Sequence, residues 1–171
     1  IGGFLSDLPS LIDPQMAAGG AATVAPAIFA GMMAKTADLN KLKQAEKLAE
    51  LGHSAEDIHD MTGWFKGVDD KWRFEIDDST SRVSEMMKSS AGQSGGVRAG
   101  SSFMHPDLYA AYPQLAETRI TNSVPTGARG ASYSGSVGVS DELPSWEAKS
   151  TLLHELQHEI QNIEGFAKGG N

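Results

Sequence analysis

Apolar residues recur at intervals of three or four in the first half of the chain, and this spacing is typical of amphipathic helices. One such helix is predicted over residues 36–51, and Gly52 follows it as a stop. A second, shorter helix is predicted between Ser54, whose side chain can cap it, and Gly63, which ends it. Two neighbouring helices are therefore expected before residue 64.

After these helices, apolar and polar residues alternate strictly. Trp72, Phe74 and Ile76 alternate with polar residues, which predicts a half-buried strand over residues 71–76, paired through a turn at 68–70 with a short strand at Trp64 and Phe65. Residues 119–124 and 132–140 are further strand candidates. The interior glycines of 132–140 indicate an edge strand or a bulge, although its Gly and Ser residues are equally typical of a poorly ordered loop.

The remaining segments complete the predicted organisation. Residues from about 89 to 102 are rich in Gly and Ser and predict a mobile loop, and a short helix is expected from Pro106 to Tyr112. Residues 1–34 form an apolar, Ala/Gly-rich lead-in. Residues 35–171 are predicted to form one α+β domain with a small mixed sheet.

A long C-terminal helix carries the motif HELQH. Ser145 is expected to cap this helix, and Gly165 is a natural residue to end it. At about 100° per residue, an apolar stripe opposes the face that carries His154 and His158. The stripe consists of Leu152, Leu156, Ile160 and Ile163. Histidines one turn apart can both reach one metal ion, so the sequence predicts a metal site on the polar face.

Three protein ligands and one water are the usual set of a catalytic zinc site. His154 and His158 supply two of the predicted ligands, and Glu164, six residues after His158, is the candidate for the third. A regular helix would point Glu164 about 80° away from the two histidines, so the last turn would have to unwind. Glu155, beside the expected ion, is placed to take a proton from a metal-bound water. We predict Zn²⁺ as the cofactor and Glu155 as the catalytic base.

Alternatives to this ligand set remain open. His59, His105 and Asp107 could each contribute to a metal site, although each is more often an ordinary polar residue. The HELQH face could also be a plain solvated helix surface with no metal. Residues 132–140 could form the edge to which a peptide substrate adds as an extended strand.

Composition narrows the partners. The chain has 171 residues, no cysteine and a net charge of −8. Any metal site must therefore use His, Asp and Glu, and nucleic-acid binding is not expected because clustered cations are lacking. A peptide or protein substrate fits better. Residues 14–34 carry no charge and predict at most a weak membrane contact, since Pro26 and three glycines weaken a spanning helix.

The stretches TLLHELQHEIQNIEGFAKGGN, TADLNKLKQAEKLAELG and TGWFKGVDDKWRFEIDDS together resemble a zincin-like domain of the large polyvalent proteins of phages and related mobile elements. The resemblance runs from about residue 29 onward. It implies a metallopeptidase fold in which His154 and His158 bind metal and Glu155 is the base, and it implies a role after delivery of phage proteins into a host. In that family the chain commonly continues into a further helix with acidic residues, which is a second possible source of the third ligand.

Two functional hypotheses follow. The first is a zinc-dependent peptidase that hydrolyses peptide bonds with a metal-activated water. The second is a non-catalytic structural or interaction module of a phage-delivered protein, with a degenerate or purely structural metal site.

Overall fold

The computed structural model describes residues 28–85, 87 and 95–167. The five α-helices of this part are α1 (Leu39–Glu50), α2 (Ala55–Thr62), α3 (Ala99–Ser102), α4 (Pro106–Ala111) and α5 (Ser145–Glu164), with a 3₁₀ helix at Pro113–Glu117. The strands are β1 (Ile28–Ala30), β2 (Trp64–Lys66), β3 (Trp72–Ile76), β4 (Arg82–Val83), β5 (Val97–Arg98), β6 (Phe103–Met104), β7 (Arg119–Thr121), β8 (Gly130–Tyr133) and β9 (Ser136–Val139). The predicted α+β class is confirmed.

Three small sheets organise these strands. The first has the antiparallel order β1-β3-β2, the second pairs β4 with β6, and the third has the order β5-β7-β9-β8. The third sheet is mixed because β7 and β9 run parallel while its other pairs are antiparallel. Helix α5 contacts β1 on one side and β8 and β9 on another, so it joins the first and third sheets.

The predicted helices α1 and α2 and the β2–β3 hairpin are confirmed. Asp38 caps α1, Ser54 Oγ accepts a hydrogen bond from the amide of Asp57 at the start of α2, and Gly63 ends α2 with a φ of 77°. A left-handed φ favours glycine, which explains why the helix ends there. Residues 28–30, expected to belong to the apolar lead-in, form a buried strand beside β3. The short strands β4, β5 and β6 were not predicted either.

Two other predictions need correction. Residues 132–140 are not one strand but a hairpin, because Gly135 adopts a φ of 76° and turns the chain between β8 and β9. The edge of the sheet is therefore β8, which begins at Gly130. Residues 97–102, within the predicted loop, form β5 and α3, whereas residues 88–94 lie outside the described part.

Helix α5 is also more buried than an amphipathic helix would be. Its apolar stripe is confirmed, since Leu152, Leu156 and Ile160 are fully buried, but Glu155, Gln157 and Gln161 are buried too. The helix ends at Gly165, as predicted, with a φ of 68°. The predicted cap at Ser145 is wrong, because Ser145 is the first helical residue and Pro144, which has no side-chain donor or acceptor, is the N-cap residue. Neighbours on several sides thus hold this helix in place.

The turn between β2 and β3 contacts the end of α5. Asp69 accepts a hydrogen bond from the amide of Ala167 at 2.8 Å and forms an ion pair of 2.6 Å with Arg73. The Arg73 guanidinium lies 3.9 Å from the centre of the Phe166 ring, and Lys71 donates to the carbonyl of Gly165. The segment that follows the HELQH helix is therefore fixed to the first sheet.

Of the uncharged segment 14–34, only residues 28–34 are described. Among the helices of the described residues, none is both long and apolar enough to cross a bilayer.

Candidate metal centre on helix α5

The two histidines of HELQH meet on one side of α5. His154 Nε2 and His158 Nε2 lie 3.1 Å apart, and the two rings are nearly perpendicular with centroids 4.7 Å apart. Two nitrogens bound to one tetrahedral zinc at 2.0–2.1 Å would be separated by about 3.3 Å. The spacing of the two ring nitrogens thus fits two ligands of a single ion.

Both imidazoles are suited to ligation. His158 Nδ1 lies 2.9 Å from Gln161 Oε1, and in the tautomer that donates to this oxygen the Nε2 lone pair is available to a metal. Burial, with a smaller contribution from His158, lowers the pKa of His154 to about 4. A neutral His154 at neutral pH can offer a lone pair to a metal.

Glu155 lies between α5 and the edge strand β8. Its side chain is buried, and burial raises its pKa to about 7. Together with His158 it lines a cavity of about 420 Å³, whose other walls are Gly130, Ala131, Ser132 and Asn162. His154 is not among the lining residues. The free edge of β8 therefore borders the same cavity as the predicted base.

Gly130 allows β8 to approach α5 closely. A Cβ placed on Gly130 would lie 2.6 Å from Thr151 Cγ2 and 2.7 Å from Glu155 Oε1. We expect Gly130→Ala to lower the free energy of unfolding by about 2 kcal/mol, because strand and helix must move apart. Thermal unfolding measures this, with Ser134→Ala in the exposed β8–β9 turn as control. An unchanged midpoint in Gly130→Ala would contradict the close approach.

Glu164 is engaged away from the two histidines. Its Oε1 accepts hydrogen bonds from Tyr112 Oη at 2.6 Å, from the amide of Gly31 at 3.2 Å and from the amide of Met33 at 3.0 Å. The helix stays regular through Glu164, so the unwinding that a ligand role requires is not seen. Within residues 28–85, 87 and 95–167, no three His, Asp or Glu side chains come together as a metal-binding group.

The other ligand candidates occupy separate positions. His105 is buried at the start of α4, where its Nδ1 accepts the amide of Leu108 at 3.3 Å, and burial lowers its pKa. Asp107 is exposed in the first turn of α4. His59 is half-exposed on α2 and packs edge-on against Phe65. Capping accounts for Nδ1 of His105, but its Nε2 is buried without a hydrogen-bond partner among the described residues.

Sequence reasoning missed the residues that surround the pair. Gln157, inside HELQH itself, and Gln161 are buried hydrogen-bonding groups, and Glu159 accepts a hydrogen bond of 2.8 Å from Ser132 on β8. One signal could have revealed Gln157. It follows Leu153 by four residues and precedes Ile160 by three, so it is a polar residue at the spacing of buried ones.

A comparison with protein families finds one match, and it covers the part of the chain that precedes α3. Residues 27–84, about a third of the chain, match the family model of large polyvalent protein associated domain 23. The match associates this chain with large polyvalent proteins. The polyvalent-protein part of the expected resemblance is therefore supported. In its described part, this domain-23 segment (residues 27–84) comprises the first sheet, α1, α2 and β4, and it excludes the HELQH helix. No curated protein and no solved structure matches the chain.

Proposed function

We propose that this protein is a zinc-dependent peptidase whose metal is held by His154 and His158. The observation that carries the proposal is the 3.1 Å separation of the two Nε2 atoms, which fits two ligands of one tetrahedral ion. Gln161 supports the geometry because it orients the ring of His158. The motif, a buried carboxylate and a cavity meet at the same place on α5.

Glu155 is the proposed proton-transfer residue of the hydrolysis. Zinc, when bound, would polarise the scissile carbonyl and acidify a water molecule. Glu155 accepts the proton of the attacking water and then delivers it to the leaving amine. Its pKa of about 7 suits both transfers, since a general base works best when its pKa is near the working pH. Burial therefore prepares Glu155 for this task.

The free edge of β8 supports a peptide as the substrate. Among the described strands, β8 pairs with β9 alone, which leaves the main-chain groups on its other side available to an extended peptide. Main-chain hydrogen bonds would place the scissile bond along the cavity that Glu155 and His158 line. An extended peptide or an unfolded protein segment is the substrate class that this edge favours.

The third ligand remains a prediction. Glu164 would have to leave Tyr112 and the amides of Gly31 and Met33 before its carboxylate could reach the ion. The non-catalytic alternative draws support from the same observation, because only two ligands converge within the described residues. A degenerate site fits this observation, whereas a purely structural ion would need a closed four-ligand site without a water position.

Zinc content of the purified chain tests the proposal. We expect one equivalent of zinc after dialysis, and we expect His154→Ala to weaken zinc binding at least about 100-fold because one ligand is lost. His53→Ala, which removes an exposed histidine outside α5, serves as the matched control and should bind like the native chain. Full zinc content in the His154→Ala variant would contradict the proposal.

A further inference from the structure

Two polar side chains of α5 face the first sheet. Gln157 and Glu164 are seven residues apart, so they lie about 20° from each other around the helix axis and about 10 Å apart along it. Both bind main-chain groups of residues 29–33, which belong to the domain-23 segment. His158 lies between them along the helix.

Gln157 binds Phe29 in the way a neighbouring strand would. Its Oε1 accepts a hydrogen bond of 2.8 Å from the amide of Phe29, and its Nε2 donates one of 3.1 Å to the carbonyl of Phe29. Both hydrogen bonds are buried. A rotation of α5 would break both bonds and leave main-chain groups without partners, which is costly inside a protein.

Glu164 makes the second attachment at the end of the helix. Its Oε1 accepts from Tyr112, Gly31 and Met33, and its Oε2 accepts a second contact from the Met33 amide at 3.1 Å. A Cβ on Gly31 would lie only 2.6 Å from Glu164 Oε2, so glycine at this position permits the contact. Two attachments on one face fix both the rotation of the helix and its position along its axis.

We propose that Gln157 and Glu164 are positioning residues, which dock α5 on residues 29–33 and so fix the rotation of the helix that places His158, with His154 next to it, beside the cavity at the edge strand β8. This inference rests on the proposed zinc site. It gives the domain-23 segment a part in the site although that segment contributes no proposed ligand. It also explains why a glutamine lies between the two histidines of the motif.

Two substitutions of Glu164 separate positioning from ligation. The carbonyl oxygen in Glu164→Gln can serve the same three donors, whereas Glu164→Ala can serve none. We expect zinc binding within about threefold of native for Glu164→Gln and about 10- to 100-fold weaker for Glu164→Ala. The visible absorption of the cobalt-loaded protein should shift in Glu164→Ala and be restored in Glu164→Gln.

An equal loss in both Glu164 variants would mean that the carboxylate charge itself is needed, as in a metal ligand, and would overturn the inference. No loss in either variant would overturn it as well. If Glu164→Ala does not fold, Tyr112→Phe removes one donor while keeping a ring of the same shape. That variant should weaken zinc binding by about threefold, and native zinc affinity there would count against the inference.

Hydrogen exchange distinguishes this inference from the proposed function. The amide of Met33 should exchange faster in metal-free Glu164→Ala than in native protein and Glu164→Gln, because it loses its acceptor, whereas the amide of Gly31 keeps Tyr112 Oη as an acceptor at 3.0 Å. Native protein that binds neither zinc nor cobalt would contradict the proposed function alone. Unchanged exchange of the Met33 amide in Glu164→Ala would contradict the docking.

Discussion

Replacing Glu155 with Gln is expected to lower kcat/KM for peptide hydrolysis about 10²- to 10⁴-fold while zinc binding stays at the native level. Glutamine fills the same buried space beside Gly130 but cannot accept a proton. The substitution does not change the two proposed metal ligands, His154 and His158. Cleavage of a quenched fluorescent peptide library, measured together with zinc content, shows both effects in one preparation.

Glu46→Gln provides the control for this loss. Glu46 is exposed on α1, so the substitution removes the same charge without touching α5. It should leave hydrolysis unchanged. Native activity in Glu155→Gln would exclude Glu155 as the base. If the native protein binds one zinc but cleaves no peptide, the result would favour the non-catalytic module.

Replacing Asp69 with Asn is expected to lower the free energy of unfolding by about 3 kcal/mol at pH 7, because the buried Arg73 loses its counter-ion. The side chains of Arg73 and Asp69 are only 8% and 12% exposed, and Asp69 also holds the amide of Ala167. For a chain of this size the loss corresponds to a thermal midpoint about 6–12 °C lower. Thermal unfolding followed by circular dichroism measures it.

The same variant should show a defined pH dependence. Burial alone would raise the pKa of Asp69, but hydrogen bonds from Arg73, Ala167 and Lys71 outweigh it and hold the pKa well below its usual range. A lowered pKa means that the stabilisation is complete above the unfolded value of about 3.9 and is lost as pH falls below it. The difference between native protein and Asp69→Asn should therefore shrink from pH 5 towards pH 2.

Asp70→Asn is the matched control in the same turn. Asp70 pairs with Lys66 at 2.9 Å, but its side chain is 82% exposed, so the substitution should cost less than about 0.5 kcal/mol. Asn also tolerates the left-handed φ of 63° at this position. Equal losses in the two variants would contradict the buried ion pair as the source of stability.

Local patterns predicted the elements whose signals are local. The spacing of Leu42 and Ala45 in α1, the cap at Ser54 and the alternation around Phe74 each depend on a few neighbouring residues, and each element was found. The HELQH helix and its buried stripe were found for the same reason. The opposition of His154 and His158 to that stripe followed from helix geometry alone.

The missed features depend on residues far apart in the chain. Strand β1 lies in a stretch rich in Ala and Gly, and only its pairing with β3 makes residues 28–30 extended. The partners of Glu164 are 52 to 133 residues away, so its spacing from His158 could not reveal them. The hairpin at 130–139 was read as one strand because the turn at Gly135 resembles an interior strand glycine.

The contact between Gln157 and Phe29 joins residues that are 128 positions apart. Bringing residues so far apart in the chain together costs conformational entropy before the contact can stabilise the fold, and contacts of this kind slow folding. During synthesis, α5 leaves the ribosome long after β1, so the docked helix is among the last parts of the described chain to form. We therefore expect the docking of α5 on β1, and with it the placement of His158 beside β8, to follow the synthesis of the whole helix.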